Sequence, residues 1–425
     1  MTRVLVAGGG AAGVAAAVEA ARAGAKVSLL ESSGRLAPNR GLLPYLLSGR
    51  CSADDVWTSD PDELSDGFGI EVGLGQRVRG IDAGSKTVKT AGAPRGHESR
   101  GYDALVMATG ASCLAEQVKG ISKPGVHVMN DPEDYLSLAR SVPDLSHVAV
   151  LCSSAPLGLV TAQELSAGVK STLFLPGALG RFSPGIGRRI AESAAAHGVE
   201  VVDAGVQAIV GMKRVEAVIS RDVVRACDAV VVLPRSAPSL PDVDCRRGTH
   251  GGAIVDRSMR SSSRGLFAAG DCAELRLGTG SVPMRYQSSA KVMGETAGRN
   301  AAGGGLAEAG LSGSLALEVF GTQLCVAGLD IAEGRAIGLE LDQMEDDGGS
   351  FRTSMAFERG SHRVFGVQAE GEGALSLSVY ISAVVSSHAT LEQVAHLESP
   401  LPPLSDGRAP PIRLTAGRFL SRLRG

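Results

Sequence analysis

Six residues, Gly8-Gly9-Gly10-Ala11-Ala12-Gly13, lie between the apolar run RVLVA (3–7) and an alanine-rich stretch, and they fit G-x-G-x-x-G. Each glycine in that spacing has its own physical task. Gly8 permits a tight turn, Gly10 lets the backbone approach a pyrophosphate, and Gly13 lets the following helix pack close to a sheet. The amides of Ala11 and Ala12 then open a helix whose positive end faces the phosphates. Glu31 closes the next apolar run, KVSLL (26–30), where a carboxylate accepts both hydroxyls of a ribose. Glycines alone often serve only packing. Strand, helix, strand and acid in this order predict a dinucleotide site.

These elements require a parallel sheet, since strand-helix-strand repeats build one. The spacing predicts a strand at 3–7, a helix at 11–23 and a strand at 26–30. A similar rhythm returns at 147–175 as HVAVLCSS, PLGLVTAQELSAG and VKSTLFL, which implies a duplicated nucleotide-binding unit. Between the two, IEVGLGQRVRGID, SKTVKT and YDALVMATG read as strands joined by tight turns. The Gly/Ala-rich stretch 301–313 reads as a linker. Beyond it, 314–340 and 361–396 predict a separate α+β domain, and RFLSRLRG (418–425) reads as a frayed surface helix.

Composition narrows the function classes. A chain of 425 residues is long enough for two or three domains. With 44% hydrophobic and 4% aromatic residues, its cores must be aliphatic. Lys+Arg 42 against Asp+Glu 45 gives a net charge of -3, which offers a nucleic acid no cationic face. The cysteines at 51, 113, 152, 227, 245, 272 and 325 form no CxxC pair, as expected of reduced, mostly buried thiols in a cytoplasmic protein. The N-terminus lacks the order of a signal peptide, and no run of apolar residues is long enough for a transmembrane segment. The histidines at 97, 127, 147, 197, 250, 362, 388 and 396 show no metal-ligand spacing, so no metal site is expected.

Two further segments carry a resemblance. GGAIVDRSMRSSSRGLFAAGDCAE (251–274) and YDALVMATGA (102–111), with the first glycine motif, resemble the two-dinucleotide-binding-domain flavoproteins. GGGAAG and GTQLCVAGLDIAEGRAIG (321–338) look most like their coenzyme A disulfide reductase and NADH oxidase group. The resemblance implies an α/β fold: an FAD-binding Rossmann-like domain (1–112 and 250–305), an inserted second Rossmann-like domain (113–249) and a C-terminal α+β dimerisation domain (312–425). It also implies FAD as cofactor and a homodimer. By the same resemblance Asp271 and the amide of Gly270 contact FAD, Ala108, Thr109 and Gly110 lie near it, and Val78 lies by the adenine. A bland alternative for Asp271 is a helix cap before CAEL.

The sequence departs from this pattern in three places. The group reads roughly N-C-G-L-P-Y where this chain has PNRGLLPYLLSGR (38–50). Aligning Pro44 and Tyr45 puts Gly41 at the cysteine position, aligning Asn39 puts Arg40 there, and neither supplies sulfur. Cys51 is too far along without rebuilding the loop. In the second unit the glycine positions read Ser153, Ala155 and Gly158, Pro156 removes an amide, and STLFLP ends without an acid or a nearby Arg for an NADP phosphate. This unit is expected to bind NAD(P)H poorly or not at all. Third, Pro400 stands where the group has a tyrosine that reaches across the dimer.

What remains is a flavin site without a protein nucleophile, since the cofactor carries the difficult chemistry. Arg40 is a candidate to bind an anionic substrate or steady the reduced flavin, and Tyr45 a candidate hydrogen-bond donor near it. Arg22 lies where the group contacts nucleotide phosphates. The leading expectation is an FAD-dependent oxidoreductase exchanging electrons with a small-molecule substrate, oxygen or a protein electron carrier. The alternatives are a flavin-only NAD(P)H oxidase and a non-catalytic FAD-binding subunit.

Overall fold

A computed structural model describes residues 1–92, 98–114, 118–221, 223–398 and 411–424. Pro400, and with it the third departure, lies outside the described residues.

The apolar runs on either side of the glycine turn form β1 (Arg3–Ala7) and β2 (Lys26–Leu30), joined by α1 (Ala11–Arg22). They pair in parallel with Ala7 opposite Leu30, and β1 pairs on its other side with Ala104–Met107. Leu266–Ala268 and Glu71–Gly73 complete a five-stranded parallel sheet. Its inner strands are largely buried aliphatic runs, the pattern of sheets covered on both faces, and only the edge strand Glu71–Gly73 is open to solvent.

The second unit repeats this plan with β3 (His147–Cys152), α2 (Ala155–Ser166) and β4 (Lys170–Phe174). In its five-stranded sheet, β3 again lies centrally, between β4 and the later strand Ala229–Leu233. After β4 the chain runs into α3 (Pro184–Ala196).

Small residues then bring two helices into backbone contact. α4 (Gln287–Ala301) crosses α1 so closely that a Cβ on Gly294 would meet the Ala12 carbonyl oxygen at 2.1 Å. One on Gly298 would meet that of Ala16 at 2.0 Å. The alanine-rich composition of α1, with Ala12, Ala16, Ala17 and Ala20 buried, is what permits this approach.

The C-terminal part is a five-stranded antiparallel sheet, Leu315–Val319, Thr322–Gly328, Val364–Gly371, Phe351–Glu358 and Leu341–Asp347 in spatial order. The tail corrects the expectation of a frayed surface helix. Pro411–Arg424 forms α5, and Ile412, Ala416, Phe419 and Leu420 enter the core beneath this sheet. Their spacing places all four on one helix face. Arg418 fixes the outer side through Asp346 at 2.6 Å.

Candidate dinucleotide site

The glycine turn is shaped by what crowds it. Gly8 sits at φ 108, and a Cβ there would lie 2.2 Å from the carbonyl oxygen of Ala108. A Cβ on Gly13 would lie 1.8 Å from the Gly8 carbonyl oxygen. Gly10 is different: a Cβ there meets nothing within 4 Å. Two glycines therefore serve packing, and the third opens the start of α1 to space. That open edge leaves room for a group to approach the backbone at the start of α1.

Glu31 is bonded directly to this turn. Its Oε2 accepts the Gly9 amide at 2.6 Å, and its Oε1 accepts the Ser33 amide at 2.6 Å and the Ser32 hydroxyl at 3.1 Å. A carboxylate has about four acceptor positions, so capacity remains for ribose hydroxyls. The Gln76 amide donates to the Glu31 carbonyl at 2.7 Å, which brings the strand Arg77–Asp82 and its buried Val78 beside the same edge.

The far wall comes from residues distant in sequence. The Ala269 amide donates to the Met107 carbonyl at 2.9 Å, tying the 266–274 segment to Ala108, Thr109 and Gly110. The Thr109 hydroxyl donates to the Ser239 carbonyl, and the Ser239 amide returns a bond to Gly110 at 2.9 Å. Gly270, at φ 76, packs so tightly that a Cβ would lie 3.0 Å from the Ala12 Cβ and 3.7 Å from that of Ala290. Asp271 thus sits where α1, α4 and the Ala108–Gly110 turn meet. Burial pushes its carboxyl up, against the opposing pull of the Arg40 and Arg285 charges. It caps no helix: Gly270–Cys272 is one tight turn, and Ala273–Leu277 is a strand. Cys272, beside it, is buried with its thiol pushed up by that burial, a packing residue.

Arg40 opens a short 3-10 helix, Arg40–Leu46, held at its start by Asn39, whose side chain accepts the Gly41 amide at 3.2 Å. The preceding strand is fastened to the glycine turn, because the Ala37 amide donates to the Gly9 carbonyl at 2.7 Å. Tyr45 is half-buried beneath the Arg50 guanidinium, 4.8 Å from its ring centre. It lines a cavity of ≈ 370 Å³ with Gln163, His197, Glu318 and Phe320, none of which belongs to the glycine turn. Cys51 donates to the Leu42 carbonyl at 3.4 Å, and its thiol is pushed up by burial, then by the charges of Asp55 and Glu164. A thiol held protonated is a poor nucleophile. Arg22 is exposed, paired with Glu19 at 2.8 Å and stacked 5.5 Å over Phe68.

The second unit is built otherwise. Gly158 keeps the packing role, since a Cβ there would meet the Cys152 Cβ at 3.1 Å and Leu173 at 3.2 Å. Ser153 does not adopt the left-handed conformation that Gly8 does. The Cys152 sulfur bonds to the Ser154 amide at 3.3 Å, and Pro156 occupies the first turn of α2. Asp203, from beyond the neighbouring strand, accepts the Gly177 amide at 2.6 Å after β4. Arg181 does follow that strand, but its guanidinium lies 5.7 Å over the Tyr286 ring and 3.7 Å from Glu333. The start of α3 is bonded to the C-terminal sheet, the Ser183 amide to Gln368 at 2.8 Å and the Gly185 amide to Glu345 at 3.2 Å. Sequence reasoning missed Asp203, Arg285 and Tyr286; the start of α4 at RYQSS was the available signal for the last two.

A family model described as pyridine nucleotide-disulphide oxidoreductase matches residues 2–292, spanning both nucleotide-binding units. The chain belongs to this family. The pyridine nucleotide-disulphide oxidoreductases are FAD-dependent enzymes, and the glycine turn, Glu31 and the open edge at Gly10 fit such a cofactor. Among curated relatives, the NAD(P)H coenzyme A polysulfide/persulfide reductase of Pyrococcus horikoshii is 25% identical over 351 residues, 80% of this chain and 78% of that one. An NADH oxidase of Methanocaldococcus jannaschii is 25% identical over 317 residues, 71% of this chain and 70% of that one. Among solved structures, an NAD-dependent persulfide reductase from A. fulgidus superposes with a TM-score of 0.88 at 23% identity, covering 100% of this chain and 84% of that one. The likeness establishes the two-unit family fold. No helix among the described residues is long and apolar enough to cross a membrane, and no cluster of metal-ligating side chains occurs among them.

Proposed function

We propose that this member of the family is an FAD-dependent oxidoreductase that exchanges electrons through the flavin without a cysteine relay. The observation that carries this reading is the pairing of a complete dinucleotide cradle with a sulfur-free segment beside it. Glu31 and Gly10 belong to one bonded turn, with Gly110 and Asp271 on the wall opposite, while residues 38–50 offer Gly41 or Arg40, and no sulfur, where the related group places a thiol. The nearest following thiol, Cys51, is bonded to Leu42 and held protonated.

In this reading Glu31 holds the adenosine ribose, the Ala11 and Ala12 amides at the start of α1 receive the pyrophosphate, and Gly270 and Asp271 border the ribityl chain. Val78 covers the adenine, and Ala108, Thr109 and Gly110 form the wall of the cradle. Bound FAD supplies two-electron redox chemistry, so the protein's own part is to bind, orient and exclude water. The acceptor or donor is a small molecule, oxygen or a protein electron carrier, and the enzyme acts as a cytoplasmic homodimer. The domain limits proposed from the sequence, 1–112 with 250–305, 113–249 and 312–425, accompany this reading.

A second reading keeps NAD(P)H as donor. It is favoured by the names of the relatives, an NAD(P)H coenzyme A polysulfide/persulfide reductase and an NADH oxidase. The altered turn at Ser153–Pro156 opposes it. One experiment separates them: FAD-loaded protein is mixed anaerobically with NADH and with NADPH. Fast loss of flavin colour selects the nicotinamide route, and persistence of colour selects another donor. Protein that takes up no FAD would sink both.

A further inference from the structure

We infer that residues 177–189, at the ligand end of the second unit, form an autoinhibitory latch that is closed on the C-terminal sheet and on Tyr286 and restrains nicotinamide nucleotides from binding. The latch belongs to the two-unit fold and does not depend on how the flavin passes on its electrons.

In an open α/β sheet ligands bind beyond the carboxyl ends of the strands, and the chain leaving β4 lies at that end of the second unit. One side chain of the C-terminal sheet, Gln368, holds it there at two points. Its Nε2 donates to the Arg181 carbonyl at 2.8 Å, and its Oε1 accepts the Ser183 amide at 2.8 Å. Gln368 and Ser183 are both buried, so loss of either bond leaves a polar group without water to replace its partner. Further along, Arg189 pairs with the buried Glu370 at 2.9 Å and donates to the Gly349 carbonyl at 3.1 Å. A Cβ on Gly185 would lie 1.9 Å from the Glu345 Oε1, so this stretch rests directly on the sheet.

Donors that could receive a nucleotide are thereby engaged. The Gly177 amide is given to Asp203, the Ser183 amide to Gln368 and the Gly185 amide to Glu345. Arg181, the first arginine after β4, lies over the Tyr286 ring at 5.7 Å and 3.7 Å from Glu333. Tyr286 stands at the start of α4, and Ala290, one turn on, faces Gly270 of the first unit's cradle. The Arg181–Tyr286 stack thus spans from the ligand end of the second unit towards the wall of the first. A nicotinamide held by the second unit would have to cross that interval to reach a flavin. A cation over a ring and a half-exposed ion pair are each weak, so the tip can be released while Gln368 and Glu370 hold the base. Apparent affinity falls in proportion to the fraction of open molecules, and release raises it. The altered turn at Ser153–Pro156 limits how far, so the expected effect is a gain over the parent.

The test measures binding of NADH and of NADPH to the full chain by anaerobic calorimetry, comparing parent, Arg181→Ala and Gln368→Met. Each variant is expected to bind at least one of the two ~10-fold or more tightly than the parent, a gain that damage to the fold cannot produce. Exchange of the Ser183 amide with deuterium is expected to quicken ~10-fold or more in Gln368→Met. If Gln368→Met fails to fold, Arg181→Ala, which alters only a half-exposed stack, decides alone. The latch is overturned if the variants bind both nucleotides no better than the parent, or if Ser183 exchanges alike in parent and Gln368→Met. Weaker binding by Arg181→Ala also overturns it, because Arg181 would then hold the nucleotide itself. Protein that takes up no FAD defeats the functional reading, while the nucleotide comparison still judges the latch.

Discussion

The amide of Gly9 donates to the carboxylate of Glu31 at 2.6 Å, so the turn that would face the pyrophosphate and the acid that would hold the ribose are one bonded unit. Glu31→Gln keeps one carbonyl oxygen and puts an NH2 group against a backbone N–H. The lost charge-assisted bond costs about 1–3 kcal/mol. FAD affinity, read by quenching of FAD fluorescence, is expected to fall ~10-fold or more.

Gly10 and Gly13 differ in role, and alanine substitutions will separate them. A methyl at Gly13 collides with the Gly8 carbonyl, so Gly13→Ala is expected to lower the melting temperature of the apoprotein by several degrees, for a cost of roughly 1–3 kcal/mol. Gly10→Ala meets open space, so its apoprotein should melt like the parent and yet fail to bind FAD. Equal FAD binding by Gly10→Ala and the parent would remove the pyrophosphate from that edge.

The first strand, helix and strand were legible because the runs 3–7 and 26–30 are continuous apolar stretches and three glycines break them in a fixed spacing. The place of Glu31 beside the glycine turn was legible for the same reason, since it stands at the strand end. Arg285, Tyr286 and Asp203 were not, because each acts on residues distant in sequence. Arg181 shows this most clearly: it follows β4 in sequence but turns away to Tyr286. The tail was misread because RFLSRLRG shows only half of its stripe; Ala416 and Ile412, one and two turns earlier, complete it.

Phe419 is 0% exposed in the C-terminal core. Phe419→Ala is expected to cost about 3–5 kcal/mol of that part's stability. Unfolding followed by fluorescence should show a destabilised transition, while FAD binding at the distant cradle is retained. A surface helix would tolerate the change.

Burial holds His127, His147 and His388 below the ordinary value of 6.5, aided at His388 by the charges of Arg257 and Arg363. The unfolded chain therefore binds more protons than the folded one below that value. Their contribution is fully present above pH 6.5 and is lost as pH falls through the depressed folded values. The melting temperature is expected to decline between about pH 7 and pH 5, and His388→Gln should flatten the decline. A melting temperature constant over that window would contradict the assignment.

The flavin is proposed to work without a protein thiol, and the number of electrons the loaded protein accepts tests this most directly. In anaerobic titration with dithionite, flavin reduction should begin with the first addition and finish at about two electrons per FAD, the capacity of the cofactor alone. An uptake of about four electrons, with flavin bleaching delayed until a first redox group has filled, would reveal a sulfur centre and contradict the account.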